Sequence, residues 1–338
     1  MTQITEIEFN ENDFELAHES NQVLIDKAYS TTSYAKDVWS HFRKNKGAVF
    51  AAVVILVIIV LAIIGPSLNE HTYKSIIIQH ASLTPRIPVV ENLGIFDGVY
   101  KGVNQYVQKG LEDVYYWFGT DTQGRDIFTR VWEGTRISLI IAFTAVVIDI
   151  FIGMLYGLIS GYFGGKVDMA MQRFAEILNG IPTLVIVILL SLILPAGITS
   201  IIIALMLTGW IGMSRIARAQ VLKLKEQEFI LASKTLGAKH KSIIFKDILP
   251  NIFGQIIIMS MFSIPNAIFT EAFLSFIGLG IPAPMASLGS LISEGYKSMT
   301  IYPHMMLSAI LVLALLMLCF NLFADGLRDA FDPKMKQM

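Results

Sequence analysis

Long apolar runs alternate with short basic segments along most of this chain. No charged residue occurs between Gly47 and Gly65, and Pro66 closes that run. A helix rises about 1.5 Å per residue, so roughly 20 residues cover the ~30 Å hydrocarbon core of a bilayer. The same pattern predicts further spans at 137–160, 177–195, 196–214, 251–270 and 305–324. Pro182 predicts a kink in the third span and Pro265 lies inside the fifth. The sequence Pro195–Ala196–Gly197 predicts a tight turn between the third and fourth. Arg43, Lys44 and Lys46 precede the first span, Lys166 and Arg173 separate the second from the third, and Arg215 and Arg218 follow the fourth. Basic short loops mark the cytoplasmic side, which places both termini there and residues 67–135 outside. The expected class is an all-α polytopic membrane protein with six transmembrane helices.

Residues 1–32 are polar and acidic with no apolar run, which reads as a cytoplasmic tail rather than a secretory signal. Over 33–46, Tyr34, Val38 and Phe42 fall on one helical face beside Trp39. This suits a helix lying in the membrane interface, and equally a plain basic flank. Asp149 lies mid-span, where a carboxylate costs about 2.5–3.5 kcal/mol on insertion scales. It therefore faces protein or water. One reading pairs it with a polar group of a neighbouring helix, and is placed first. The other has it line a path and favour a peptide ammonium. Gly153, Gly157 and Gly161 recur every four residues and predict a close-packing face. Gly278, Gly280, Pro282 and Pro284 predict an irregular or re-entrant piece before the last span.

The chain has 338 residues, of which only 16% are charged against roughly 25% in soluble domains. A net charge of −1 argues against a nucleic-acid partner. The single cysteine, Cys319, excludes an internal disulfide, and the six scattered histidines make no zinc pair. No G-x4-G-K-[ST] occurs, so the chain does not cradle ATP phosphates by that route and reads as a non-enzyme.

One polar stretch stands out. Eight Lys or Arg residues and three acids lie between Arg215 and Pro250. Phe229, Ala232 and Leu236 repeat at helical spacing, Gly237 permits a turn, and Ile243, Ile244 and Ile248 follow before Pro250 stops the pattern. A short helix pair with an apolar face, in a cytoplasmic loop, suits docking to a soluble partner.

This stretch resembles the coupling loop of bacterial ABC importer permeases of the peptide-type branch. Glu228, Phe229, Ala232, Gly237, Ala238, Leu249, Pro250 and Asn251 match, while Leu231, Ser233 and Asp247 depart from the general pattern. Three further motifs carry the resemblance in the right order. The first is G-T-D-x-x-G-R-D…G-x-R-x-S-L, with Gly119, Thr120, Asp121, Gly124, Arg125, Asp126, Gly134, Arg136, Ser138 and Leu139. There Asp121 and Asp126 are expected to cap a helix, Gly119 and Gly124 to allow tight turns, and Arg125–Asp126 to serve a structural ion pair. The second is E-A-F-L-S-F-I-G-L-G from Glu271, and the third D-G-L-R-D-A-F-D-P from Asp325.

The resemblance implies a type I ABC importer fold, with an elbow before 47–66, a transmembrane domain over 136–325, a coupling loop at 215–250 and a tail at 326–338. It implies a second, different permease subunit, two ATP-binding subunits that hold ATP and Mg, an extracytoplasmic solute-binding protein, and a peptide substrate. Coupling is expected at Glu228, Phe229, Ala232, Ser233, Leu236, Gly237 and Ala238. Nickel or another small solute, and ATP-independent secondary transport, are the alternatives.

Overall fold

The computed structural model describes residues 34–195 and 197–331. The expected N-terminal tail, the turn residue Ala196 and the end of the last motif lie outside the described residues. Ten helices carry the fold: α1 Tyr34–Lys44, α2 Lys46–Ile64, α3 Ile127–Phe163, α4 Gly165–Asn179, α5 Thr183–Ile193, α6 Ile198–Leu224, α7 Glu228–Thr235, α8 His240–Leu279, α9 Leu288–Tyr296 and α10 His304–Phe331. Among the described residues five are long and apolar enough to cross a membrane, and α4 with α5, bent by 75° at their break, makes six where the pair counts as one span.

The spans are where the apolar pattern places them, but several extend into polar sequence. Helix α3 starts ten residues before the expected 137, because Asp126 accepts the Thr129 N–H and caps it there (2.8 Å). The expected turn at 161–176 is instead mostly α4, an amphipathic helix with Asp168 in its first turn. Pro182 is the N-cap of α5, so the expected kink is a break between two helices. Helix α6 runs ten residues past 214, and α10 continues to Phe331, into the expected tail. Pro250 does not stop its helix. A π-helical stretch over Ile243–Ile248 leads into it, and widening of this kind absorbs a proline's missing donor and its ring. Pro265 also stays inside an unbroken helix.

Helix α3 is the centre of the bundle. It packs along α6 through the predicted glycine face: a Cβ on Gly153, Gly157 or Gly161 would meet Trp210, Ser214 or Val221 at 2.6, 2.4 or 2.9 Å. The core around Val131, Ala142 and Val146 joins α2, α3, α8, α9 and α10. Helix α1 packs Phe42 against Phe323 of α10 and leaves Trp39 exposed.

Between α2 and α3, residues 65–126 form a small subdomain. It holds a hairpin of β1 (Val99–Tyr100) and β2 (Val103–Asn104) and a core of Leu83, Tyr106 and Tyr116. Burial in that core raises the Tyr116 phenol to about 12, and burial lowers His80, whose Nδ1 meets the Tyr116 hydroxyl at 2.6 Å. The irregular piece after Gly278 (φ +92°) leads into α9, which Ser287 caps through a reciprocal pair with Ser290.

Candidate functional site

The sequence motifs gather at three places: the bundle end that carries the subdomain, mid-bundle, and the opposite, basic end. At the subdomain end, Asp121 does not cap a helix as expected. It is the hub of an ion-pair cluster. Its Oδ2 accepts Arg125 Nε and Arg130 Nη1, each at 2.6 Å, and Glu294 Oε2 accepts Arg125 Nη2 (2.9 Å) and Arg130 Nη1 (2.7 Å). Of the pair expected to serve an ion pair, Arg125 does so with Asp121 and Glu294, whereas Asp126 instead caps α3 and accepts Asn69 Nδ2 (2.8 Å). Arg130 and Glu294 complete the cluster from positions with no sequence signal. Gly119 and Gly124 do sit at left-handed turns, φ +77° and +74°. One layer deeper, Glu271 of α8 is wholly buried and accepts Ser138 and Ser275, each at 2.7 Å. Two motifs far apart in the chain thus meet in one buried cluster.

Mid-bundle, Asp149 of α3 borders a cavity of about 320 Å³. Asn179 and Thr183 line it from either side of the α4–α5 break, Thr208 and Gly209 from α6, and Ser263, Asn266 and Thr270 from α8. Among the described residues no side chain of a neighbouring helix pairs with Asp149 as expected. Asp149 Oδ1 is buried and has no hydrogen-bond partner. Gly209 faces the carboxylate so closely that a Cβ there would lie 2.5 Å from Oδ2.

At the basic end, α4 is tied to α6 by a bidentate pair from Arg218 to Asp168 (Nε 2.6 Å, Nη2 2.5 Å), which Ser160 of α3 also joins. Beyond it, α7 projects as a short foot. Ile230 is wholly buried among Leu158, Ala217, Val221 and Ile243 and fixes the foot to the bundle. Tyr162 meets His240 Nδ1 at 2.7 Å, and Lys234 lies over the Tyr162 ring. Ala238 N–H bonds the Ser233 carbonyl (3.1 Å) and Gly237 N–H the Lys234 carbonyl (3.0 Å), a Schellman stop with Gly237 at φ +77°.

The residues expected to couple fall on the other side of this foot. Glu228, Ala232 and Gly237 are exposed, Phe229 is 45% exposed and Leu236 87%, while Ser233 and Ala238 are half-buried at the seam. Leu231, a departure from the motif, is exposed beside them. Ile230 was missed because the helical repeat picks out one apolar stripe and does not say which stripe faces the bundle.

Comparison with known proteins agrees with this architecture. The family described as binding-protein-dependent transport system inner membrane component matches residues 153–337. The N-terminal TM domain of oligopeptide transport permease C matches 33–85. The oligopeptide transport system permease protein OppC of Bacillus subtilis is 43% identical over 302 residues, covering 89% of this chain and 90% of that one. The dipeptide transport system permease protein DppC of Lactococcus lactis is 43% identical over 314 residues, covering 89% and 91%. Among solved structures, a chain of an inward-facing MetNI methionine ABC transporter shares the fold at TM-score 0.50 and 18% identity, covering 60% of this chain and 97% of that one. The transmembrane helices thus have the type I ABC importer fold. By sequence along nearly its whole length, and by the fold of its helices, the chain belongs to the family of binding-protein-dependent transport system inner membrane components.

Proposed function

We propose that this permease forms half of a membrane pathway for oligopeptides or dipeptides and takes its driving force through α7. A second, different permease subunit supplies the other half. Two separate ATP-binding subunits hold ATP and Mg, one seated on this foot, and an extracytoplasmic solute-binding protein delivers cargo at the subdomain end. The carrying observation is the foot itself. It is held to the bundle by the buried Ile230, yet it presents Phe229, Leu231 and Leu236 to the outside. Apolar side chains on a rigid, projecting helix suit a groove in a partner. The basic residues around the foot favour the cytoplasm, where the ATPase would be. The names of the relatives favour peptide over nickel. ATP closing the ATPase pair would move the two feet together and switch the cavity between inward and outward access.

The test is uptake of labelled di- and oligopeptides by cells lacking this gene, complemented with and without the ATPase genes. Uptake is expected only with both. Transport by the purified chain alone, without a nucleotide-hydrolysing partner, would refute the proposal. A sharper test is Gly237→Val. A β-branched residue at φ +77° costs about 1–3 kcal/mol and reshapes the foot, at a position where a Cβ meets nothing within 4 Å. Membrane insertion is expected to persist, with ATP hydrolysis uncoupled from uptake. Normal uptake by this variant would show that α7 is not the coupler.

A further inference from the structure

The cavity beside Asp149 holds one carboxylate, several neutral amide and hydroxyl groups and, among the described residues, no cation, and that charge balance bears on what passes through it. Ser263 donates to the Met259 carbonyl (3.3 Å), Asn266 Nδ2 to the Phe262 carbonyl (3.2 Å) and Thr270 to the Asn266 carbonyl (2.8 Å). The two hydroxyl hydrogens and one of the two Asn266 amide hydrogens are committed to the backbone of α8. The hydroxyl lone pairs and the Asn266 Oδ1 remain to serve the cavity, beside the Asn179 amide and the Thr183 and Thr208 hydroxyls, which can donate or accept. Asp149 adds a carboxylate whose buried Oδ1 has no partner. No Lys, Arg or His lines the space among the described residues.

A carboxylate in a cavity lined by no cation is unfavourable until something supplies positive charge to it. A primary ammonium brings that charge with three donors and no acceptor, which suits an unpartnered carboxylate with hydroxyl and amide oxygens around it. A hard metal ion is the poorer match, because such sites usually gather six or more oxygens with several carboxylates, and here there is one. Gly209 belongs to the same arrangement. With no side chain, it leaves the carboxylate uncovered where any Cβ would crowd Oδ2 at 2.5 Å.

The geometry points to Asp149 as a transient site for a primary ammonium of the cargo, midway along the path. This deepens the peptide reading given above and rests on it. In a peptide the group is the α-ammonium or a lysine side chain. The role is positioning by charge, without covalent chemistry.

The experiment uses the assembled transporter, this chain with its permease partner and ATPase subunits, in lipid nanodiscs without the binding protein. Equilibrium binding is measured for trialanine, N-acetyl-trialanine and N-acetyl-Ala-Ala-Lys. The wild type is expected to bind trialanine roughly tenfold more tightly than its acetylated form, a charge-assisted hydrogen bond's worth. Asp149→Asn should erase that preference while the complex still assembles and hydrolyses ATP. Gly209→Ala should weaken trialanine binding with every charge intact. Tight binding of N-acetyl-Ala-Ala-Lys would support a site for any primary ammonium, and weak binding one reserved for the α-ammonium. A wild type that does not discriminate, an Asp149→Asn complex that still does, or displacement of trialanine by sodium at constant ionic strength would overturn the inference. Uptake of trialanine into ATP-loaded proteoliposomes with the binding protein present is scored separately. Wild-type failure there refutes the peptide reading itself, whereas uptake with Asp149-independent binding refutes only the ammonium site.

Discussion

Glu271 is a useful place to weigh single residues, because both its carboxyl oxygens are occupied. Ser138 of α3 and Ser275 donate to it at 2.7 Å each, Ser287 donates to Ser275 (3.1 Å), and the Leu288 N–H reaches Ser138 Oγ (3.3 Å). One side chain therefore joins α3, α8 and the start of α9. Glu271→Ala would strand two buried hydroxyls, at about 1–3 kcal/mol each, and open a cavity besides. The expected result is a loss of roughly 3–5 kcal/mol, read as a lower melting midpoint of the purified complex. Glu271→Gln keeps the shape and should lose less. An alanine variant that melts like the wild type would mean this joint contributes nothing. The motifs marked Glu271, Ser138, Asp121 and Arg125 as special without indicating that they meet. Ser138 and Glu271 touch across a separation of 133 residues, and Arg130 and Glu294 across 164. Local periodicity carries no information at that range. Arg130 in the sequence is one more cation ahead of an apolar run.

At the scale of elements, a charge-free window reports which residues suit hydrocarbon, and a helix does not end where hydrocarbon does. Helix α3 continues back through Glu133 and Arg130 because both are buried and paired, Arg130 by Asp121 and Glu294 and Glu133 by Arg136 of its own helix, and α6 continues forward through Arg218 because Asp168 receives it. The apolar segments were therefore readable from hydropathy and the ends of their helices were not. The foot shows the same limit. Its helix, its stop at Gly237 and its apolar residues were all readable, but its anchoring face was not. That division gives a prediction. Ile230→Ala removes a fully buried side chain and should destabilise by about 2–5 kcal/mol. Leu236→Ser alters a residue 87% exposed and should change melting of the isolated chain little. The order should reverse for function. Leu236→Ser is expected to weaken co-purification of the ATPase subunits and lower uptake in proportion. If Leu236→Ser leaves both unchanged, the exposed side of α7 is not the docking surface.

Across the whole molecule, the α3–α6 contact connects the cavity to the foot. Helix α3 carries Asp149, α6 carries Gly209 opposite it, and α6 runs directly to Leu224, a few residues before α7. The two helices touch through three glycines, which differ in how closely the facing atoms approach. A Cβ at Gly157 would meet the Ser214 carbonyl oxygen at 2.4 Å and at Gly153 the Trp210 carbonyl oxygen at 2.6 Å, both fixed backbone. At Gly161 the overlap is shallower, with Val221 Cβ at 2.9 Å and the Arg218 carbonyl oxygen at 3.0 Å. Replacing glycine by alanine inside a helix gains about 1 kcal/mol of propensity, which works against the clash. Overpacking costs about 1–3 kcal/mol when backbone must move. The clash should therefore win at Gly157 and Gly153 and come near to balance at Gly161. Gly157→Ala is expected to lower the melting midpoint of the complex and to reduce both trialanine binding at Asp149 and ATP-driven uptake, since separating α3 from α6 disturbs the cavity and the lever that leads to the foot. Gly161→Ala should keep most of both activities. Equal effects at the two positions would mean that this seam is not what transmits movement between them.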